Sequence, residues 1–531
     1  MRQRSGTKLI YTTMICTLAM AVFTVKPLGG QAVFGSIYGE VLDNSGAAVP
    51  NAQLVVTDVA KGTTVQATTN EFGQYAVQHL IPDVYTIAVT FSGFRKQETR
   101  NVTVSADTSV KVDFKLEVGS ATETITVTSE APQLKSDRAD VALVLNQKTV
   151  SDLPNLGRNF ASLELLIPGT QVMGWSQNSA EDPQGSPTVQ VLGQHFSGVH
   201  YELDGAVNQD PILGQIVINP PLDAVGEGKI STQSYDAQFG GAVAAVVSAQ
   251  TKSGTNNFHG DIFEYRYTDA TLARNPYTQA GLASLPPAKY NQFGASLGGP
   301  IIKNKLFFFA DYQGTRQVLG SSAIASVPTK LAHDSCLSGN GCDLSDYLSV
   351  AQAYNPRNGG TPFANNFIDP QFVSPQSVAL LTMLPEPNRG APGATVNNYA
   401  GSGSGSQHND TVDVRIDGQV DPNKHAFGRY SIFDNGVSAN TIFGAAGGQG
   451  FSSPTNSFGG SSNGRSQSAV AGMDIALNPT LLTDFRLGYL RYHVKTAKYS
   501  DGTWGRKLGF LASISRTSRL PPAPRDSSWT D

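Results

Sequence analysis

Charge is scarce in this 531-residue chain. Asp, Glu, Lys and Arg make up 15% of it, against about 25% in an ordinary soluble domain. A cytosolic enzyme of this size would carry more charge on its surface. Long hydrophobic runs are also missing: after the first 30 positions no stretch of about 18 apolar residues occurs, which excludes a bundle of membrane helices. A membrane β-barrel survives this test, because its strands alternate and look only weakly hydrophobic. Cysteine is rare, with three residues. No basic surplus exists to suit nucleic acid, since the formal net charge is −4.

What is present begins with an export signal. Arg2, Arg4 and Lys8 form a basic start, residues 10–25 are mostly apolar and uncharged, and Gly30-Gln31-Ala32 offers small residues at a cleavage site. The alternative is a retained anchor. The segment is short, rich in Thr and followed by Lys26-Pro27, which favours cleavage. A lipoprotein reading fails, because Cys16 lies inside the apolar region after Met14-Ile15. The segment of residues 1–32 holds four basic and no acidic residues, so cleavage takes the charge from −4 to −8. Cys336 and Cys342 remain, flanking a short Gly/Asn loop; in an oxidising compartment that favours a disulfide over a pair of metal thiolates.

Residues 34–117 read as a β-sandwich. Ile37–Leu42, Ala52–Thr57 and Val84–Phe91 are alternating or β-branched, and Asp43-Asn-Ser-Gly46, Thr69-Asn-Glu-Phe-Gly73 and Ile81-Pro-Asp83 stand between them as turns. Gly39-x-Val41-x-Asp43-x-x-Gly46-x-x-x-Pro50-x-Ala52 resembles the first hairpin of a carboxypeptidase regulatory-like domain. Thr69-Asn-Glu-Phe-Gly73-x-Tyr75, Leu80-x-Pro82-x-x-Tyr85 and Phe91-x-Gly93-Phe94 continue that pattern in order. The resemblance implies a non-catalytic module with a carbohydrate-binding-like fold, for which a spacer role and a glycan-binding role both stand.

Residues 118–131 form an extended linker. Within it Glu123, Thr124, Ile125, Thr126 and Val127 resemble a TonB box, the segment by which outer-membrane transporters are gripped from the periplasm. A β-prone strand beside a flexible stretch suits capture by strand addition. The alternative is the last strand of the sandwich or a connector.

Residues 132–256 have an α+β pattern. Leu153-Pro154-x-x-Gly157-Arg158-Asn159-Phe160, Leu203-Asp204-Gly205, Tyr235-Asp-Ala-Gln-Phe-Gly-Gly241 and Thr251-Lys-Ser-Gly-Thr-Asn-Asn-Phe-His-Gly260 follow in an order that resembles the plug of TonB-dependent receptors, especially the Oar-like branch. The pattern predicts a helix near 159–166 and a small-residue strand over 241–249.

Residues 257–509 alternate like strands with one lipid face and one lumen face. Val412, Val414 and Ile416 oppose Thr411, Asp413, Arg415 and Asp417; Phe485, Leu487 and Tyr489 oppose Asp484, Arg486 and Gly488. Phe263, Tyr265 and Tyr267 oppose Glu264, Arg266 and Thr268. Aromatic residues are expected outside and paired charges inside. Seven strands are predicted, near 258, 290, 305, 409, 424, 466 and 480, with long polar loops over 316–408 and 435–465.

Plugged barrels use about 22 strands, so an incomplete barrel is expected. Residues 510–531 are basic and Pro-rich without alternation, and a frameshift or premature stop near 510 is expected.

Chemistry-bearing patterns are few. Gly460-Ser-Ser-Asn-Gly464 matches G-x-S-x-G, but its Ser/Gly surroundings do not suit a nucleophile elbow. His195 and His200 sit five apart with Glu202 following, and no further ligand has metal spacing; Asp204, Asp210 and Asp223 could ligate a metal, but Asp beside Gly or Pro, as in Asp204-Gly205 and Asp210-Pro211, usually makes turns. No enzyme activity, metal or cofactor is expected. The fold class expected is mainly β: a sandwich, an α+β plug, then the first strands of a transmembrane barrel. The resemblance implies an extracellular ligand, a carbohydrate or peptide among the classes, a TonB-type energy-coupling complex, the barrel assembly machinery and the outer membrane as partners. A surface adhesin using the sandwich is the second reading.

Overall fold

The computed structural model describes residues 34–106, 108–119, 124–128, 141–153, 155, 157–173, 186–212, 214–235, 239–271, 273, 288–448, 450–451, 459–478 and 481–498. The export signal, Glu123 and the expected break near residue 510 lie outside these residues.

The first unit is a sandwich of nine strands: β1 (Gly35–Asp43), β2 (Gln53–Asp58), β3 (Thr64–Thr68), β4 (Gln74–Leu80), β5 (Asp83–Thr90), β6 (Lys96–Val104), β7 (Ser109–Lys111), β8 (Phe114–Leu116) and β9 (Thr124–Thr128). One sheet runs β4-β1-β7 with β8 also on β1; the other runs β3-β2-β5-β6-β9. Period-2 alternation puts Ile37, Val41, Leu54, Val56, Ile87, Val89, Phe114 and Leu116 inside. The predicted turns form as expected: Asp43 Oδ1 accepts from Ser45 N at 2.8 Å and Ala47 N at 2.9 Å. Gly39 is required by packing, because a Cβ there would overlap Val112 O. The strand inside the expected linker, β9, is the edge of the second sheet and pairs in parallel with β6, Lys96 opposite Thr124 and Arg100 opposite Thr128.

The second unit has seven strands: β10 (Val141–Asn146), β11 (Thr170–Val172), β12 (Val189–Val191), β13 (Val199–Leu203), β14 (Ala206–Val207), β15 (Val225–Gln233) and β16 (Ala245–Thr251). Five of them form the sheet β10-β15-β16-β13-β14, with Leu145, Phe160, Leu203, Ile218, Ile230 and Val247 in its core. The predicted helix near 159–166 is a 3₁₀ segment, Phe160–Leu166, started by Asn159, whose side chain accepts from Ala161 N. The strand expected over 241–249 begins only at Ala245.

The third unit is one antiparallel sheet of long strands: β17 (His259–Thr268), β18 (Ala288–Ile302) and β19 (Leu306–Ala325), then, beyond four two-residue strands β20 (Cys342–Asp343), β21 (Tyr354–Asn355), β22 (Thr361–Pro362) and β23 (Phe367–Ile368), β24 (Tyr399–Asp421), β25 (Lys424–Ala439), β26 (Gly460–Asn478) and β27 (Leu481–Lys498). Each long strand bonds to the next in sequence order, and β17 and β27 are the two edges. Between consecutive long strands, 303–305, 422–423 and 479–480 are short intervals of sequence, and 269–287, 326–398 and 440–459 are long ones. That asymmetry is the one expected of outer-membrane strands, with short turns on the periplasmic side. Among the described residues no helix is long and apolar enough to cross a membrane, which says nothing of strands.

The seven predicted strands all appear, but two expectations are corrected. The strands run farther than their alternation suggests. Residues 401–406, expected as polar loop, lie in β24 opposite residues 318–323 of β19. Glycine there serves space: a Cβ on Gly403 would collide with Phe451, and one on Gly401 would lie 2.6 Å from an Ile442 carbon. The second correction concerns which way β17 faces. Its row Phe263, Tyr265 and Tyr267 points at the plug and not outward, because Arg158 of the plug lies over the Phe263 and Tyr265 rings. Outward positions on β17 are Ile262, 88% exposed, with Glu264 and Arg266. On β24 and β27 the expected orientation holds: Val412, Val414, Ile416, Phe485, Leu487 and Tyr489 are exposed, and Asp413, Arg415 and Asp417 are buried.

Candidate plug and barrel-wall interface

The plug meets the inner face of the long sheet through residues that stand in the sequence motifs. Asp204, in the turn after β13, is 2% exposed and has φ 52°. Its Oδ1 accepts from Thr251 N at 2.9 Å and its Oδ2 from Thr251 Oγ1 at 2.9 Å, tying β13 to β16. The same carboxylate then faces the wall. Arg415 Nη1 donates to Oδ1 at 2.7 Å, and Arg429 Nε lies 2.7 Å from Oδ2. These arginines are cross-strand neighbours on β24 and β25.

The wall arginines are held in turn. Arg415 Nε and Nη2 donate to Asp417 at 2.9 and 2.8 Å, and its guanidinium lies 4.9 Å from the Phe427 ring centre. Arg429 bonds Ser431, which bonds Asp413, and reaches Ser468 at 3.0 Å. Ser253 of the plug's last segment donates to Asp417 at 2.9 Å. Farther along, His425, Asp474, Asp484 and Arg486 continue the row. Buried charges persist only when paired and hydrogen-bonded, so this ladder fixes one register of plug against wall.

Other motif residues act at the same seam. Arg158, at φ 49°, donates to Asp223 at 2.6 Å and stacks 4.3 Å from the Tyr265 ring centre. Asn256 donates to Lys61 O of the sandwich at 2.6 Å and to Asn304 of the β18–β19 turn at 2.7 Å. It thereby joins sandwich, plug and wall at the short-turn end. Glu227 on β15 accepts from Ala106 N at 2.8 Å, a second sandwich contact; burial pushes its carboxyl up to about 7. Glu164, buried behind Tyr201, is pushed by burial up to about 8.

Above the charge ladder, on the side of the long connections, lies a cavity of about 380 Å³ between plug residues 157–162, 187 and 219–220 and wall strands β17–β25. Amides and tyrosines dominate its wall, including Gln292, Gln313, Asn409, Tyr267 and Tyr290. The two tyrosine rings stack at 4.8 Å with 3° between planes.

Several residues named from the sequence lie elsewhere. Thr124, Ile125, Thr126 and Val127 form β9 on the sandwich edge. Cys336 and Cys342 are joined as a disulfide within the 326–398 connection, beside a helix, Lys330–Leu337, capped by Thr329. His200 pairs with Glu202 at 3.0 Å inside the plug, and Asp210 closes a turn by accepting from Ile212 N. Residues 460–464 start β26 and form no elbow. Asp204 and Asp223, expected as turn residues, both pair with arginine. The signal available in the sequence was the inward Asp413-x-Arg415-x-Asp417 row, which calls for a charged partner.

Residues 250–524 match the family described as outer membrane beta barrel domain, and residues 36–117 match the carboxypeptidase regulatory-like domain. Over 305 residues the chain is 26% identical to the TonB-dependent transporter Oar of Myxococcus xanthus, an alignment covering 54% of this chain and 27% of that protein. It thus spans about a quarter of the length of that relative. Among solved structures, the outer membrane transporter YddB from Escherichia coli superposes over 67% of this chain and 39% of its own, at 10% identity and TM-score 0.41. A mutant of the ferric enterobactin receptor PfeA from Pseudomonas aeruginosa does so over 66% and 40%, at 10% identity and TM-score 0.37. This chain belongs to the outer membrane β-barrel domain family, with a carboxypeptidase regulatory-like domain ahead of the barrel and a TonB-dependent transporter of the Oar type among its relatives.

Proposed function

We propose that the chain is the plug-bearing part of a TonB-dependent outer-membrane transporter. Residues 1–32 direct export and are cleaved, and the barrel assembly machinery inserts the strands. An extracellular ligand binds on the side of the long connections, and a TonB-type complex supplies energy from the periplasm through residues 123–127. The observation that carries this reading is the Asp204 link to Arg415 and Arg429. A permanent structural filler would be held as well by apolar packing. A seam of paired charges keeps the plug in one register, yet each charge can exchange its partner for water when the plug is pulled.

The position of β9 supports the energy-coupling part. It is a sheet edge with one side paired to β6 and the other without a partner strand among the described residues, the geometry that strand addition uses. The sandwich that carries it touches the short-turn end of the barrel through Asn256 and Asn304. The test is capture of the purified full chain by the periplasmic domain of a TonB-type protein. Ile125→Pro removes a backbone donor and should weaken capture by about tenfold or more. Equal capture of both chains would reject residues 123–127 as the contact.

A further inference from the structure

The cavity above the charge ladder has a lining that selects for one kind of ligand. Three of its buried amide oxygens, Gln292 Oε1, Gln313 Oε1 and Asn409 Oδ1, accept no hydrogen bond from the described residues. A buried acceptor without a donor costs about 1–3 kcal/mol, so three around one space call for a donor-rich occupant. Two of them, Gln292 and Gln313, sit on adjacent strands β18 and β19, and Asn409 is on β24, so the acceptors span the wall.

Charge around the cavity is minimal. Arg158 is the charged residue among the described lining; its Nη2 donates to Asp223 at 2.6 Å and its guanidinium lies over the Tyr265 ring, while its Nε has no acceptor among the described residues. An anionic ligand would find amide oxygens and, among the described lining residues, no cation besides the Asp223-paired Arg158. A cationic ligand would meet Arg158 and no lining carboxylate. Tyr267 and Tyr290 add flat apolar surface beside the acceptors, and alternating hydroxyls and apolar C–H faces are what a sugar ring offers to such a wall.

We propose that this cavity, between plug residues 157–162 and strands β17–β25, is a binding site for a neutral saccharide. Gln292, Gln313 and Asn409 accept from its hydroxyls, and the Tyr267–Tyr290 pair packs on a ring face. This rests on reading the chain as a ligand-binding transporter, but equilibrium binding needs no energy coupling. Sugar binding without capture by the TonB-type domain would therefore sink the transport reading and leave the site standing.

The experiment is calorimetry on the full chain in detergent with neutral glucan, mannan and xylan hexasaccharides, hexaalanine and a sulfated glucan. At least one neutral hexasaccharide should bind, and the sulfated glucan should bind about tenfold or more weaker. Gln292→Leu and Gln313→Leu should each weaken sugar binding about tenfold. Gln313→Glu keeps an acceptor at that position and should stay within about threefold of the parent, which separates loss of the acceptor from misfolding. The proposal is overturned if no hexasaccharide binds, if hexaalanine or the sulfated glucan binds better, if the Leu variants bind as tightly as the parent, or if Gln313→Glu loses as much as Gln313→Leu.

Discussion

Arg415 of the barrel wall donates to Asp204 of the plug at 2.7 Å, joining residues 211 positions apart in a site from which water is nearly excluded. Arg429 approaches the other oxygen of the same carboxylate at 2.7 Å. Removing the carboxylate leaves two guanidiniums buried with one partner fewer. Asp204→Ala should therefore destabilise the plug against the wall by about 3–5 kcal/mol. Asp204→Asn, which tolerates the left-handed backbone, should cost less. Trypsin cleavage of the plug, timed in detergent, checks this: Asp204→Ala should be cut fastest, Asp204→Asn at an intermediate rate. Equal rates in all three chains would mean the link holds nothing.

Glu164 gives the plug a pH dependence of definite sign. Burial raises its carboxyl from 4.5 to about 8. Between those values the folded plug keeps a proton that the unfolded chain releases, so stability falls as pH rises through this window and levels off above it. Glu164→Gln cannot ionise. It should match the parent near pH 4.5 and melt higher than the parent at pH 8.5. Parallel melting curves for the two chains across pH 5–8 would contradict the assignment.

Gly254 lies where plug and wall backbones touch. A Cβ there would lie 2.5 Å from Gly299 O and closer still to Phe308 O. Neither carbonyl can swing away as a flexible side chain would, since both residues belong to the paired strands β18 and β19. Gly254→Ala should cost on the order of 2 kcal/mol, read as a lower melting temperature, whereas Gly428→Ala, whose Cβ would meet nothing closer than Val470 O at 3.9 Å, should cost less. The reverse order would refute the close-approach account.

The disulfide closes a short loop in the connection between β19 and β24. Opening it with Cys336→Ser should cost about 2 kcal/mol by loop-closure entropy. The loss should be local: faster amide exchange across Lys330–Leu337, with exchange in β24 and β25 unchanged. Unchanged exchange in the helix would show that Thr329 capping and packing alone hold it.

What the sequence makes legible follows physical locality. In the sandwich each strand alternates within itself and each turn closes on its own Asp or Asn, so strands and turns can be read directly. The same holds for the outward rows of β24 and β27, where lipid-facing and plug-facing residues differ in polarity. The orientation of β17 escapes this test because its inward row is aromatic too; only Arg158, about a hundred residues earlier, decides that those rings face the plug. The polar run at 401–406 looks like loop because its residues carry no β preference. Its pairing with β19 is set by the ladder already established at Leu306–Gly314 and by the Ile442 and Phe451 side chains that fill the space beside its glycines.

The sequence by itself determined the mainly β character, the seven long strands, the sandwich and the ordered plug motifs, because alternation, turn chemistry and motif order are written along the chain. Only the tertiary structure decided what those motif residues touch. Asp204 becomes the shared partner of two wall arginines, Asn256 becomes the tie between sandwich, plug and wall, and three amide oxygens from three strands meet around one cavity. Each of these depends on which strands lie opposite which loops, and that is fixed by the closing of distant segments on one another, a relation no local pattern carries.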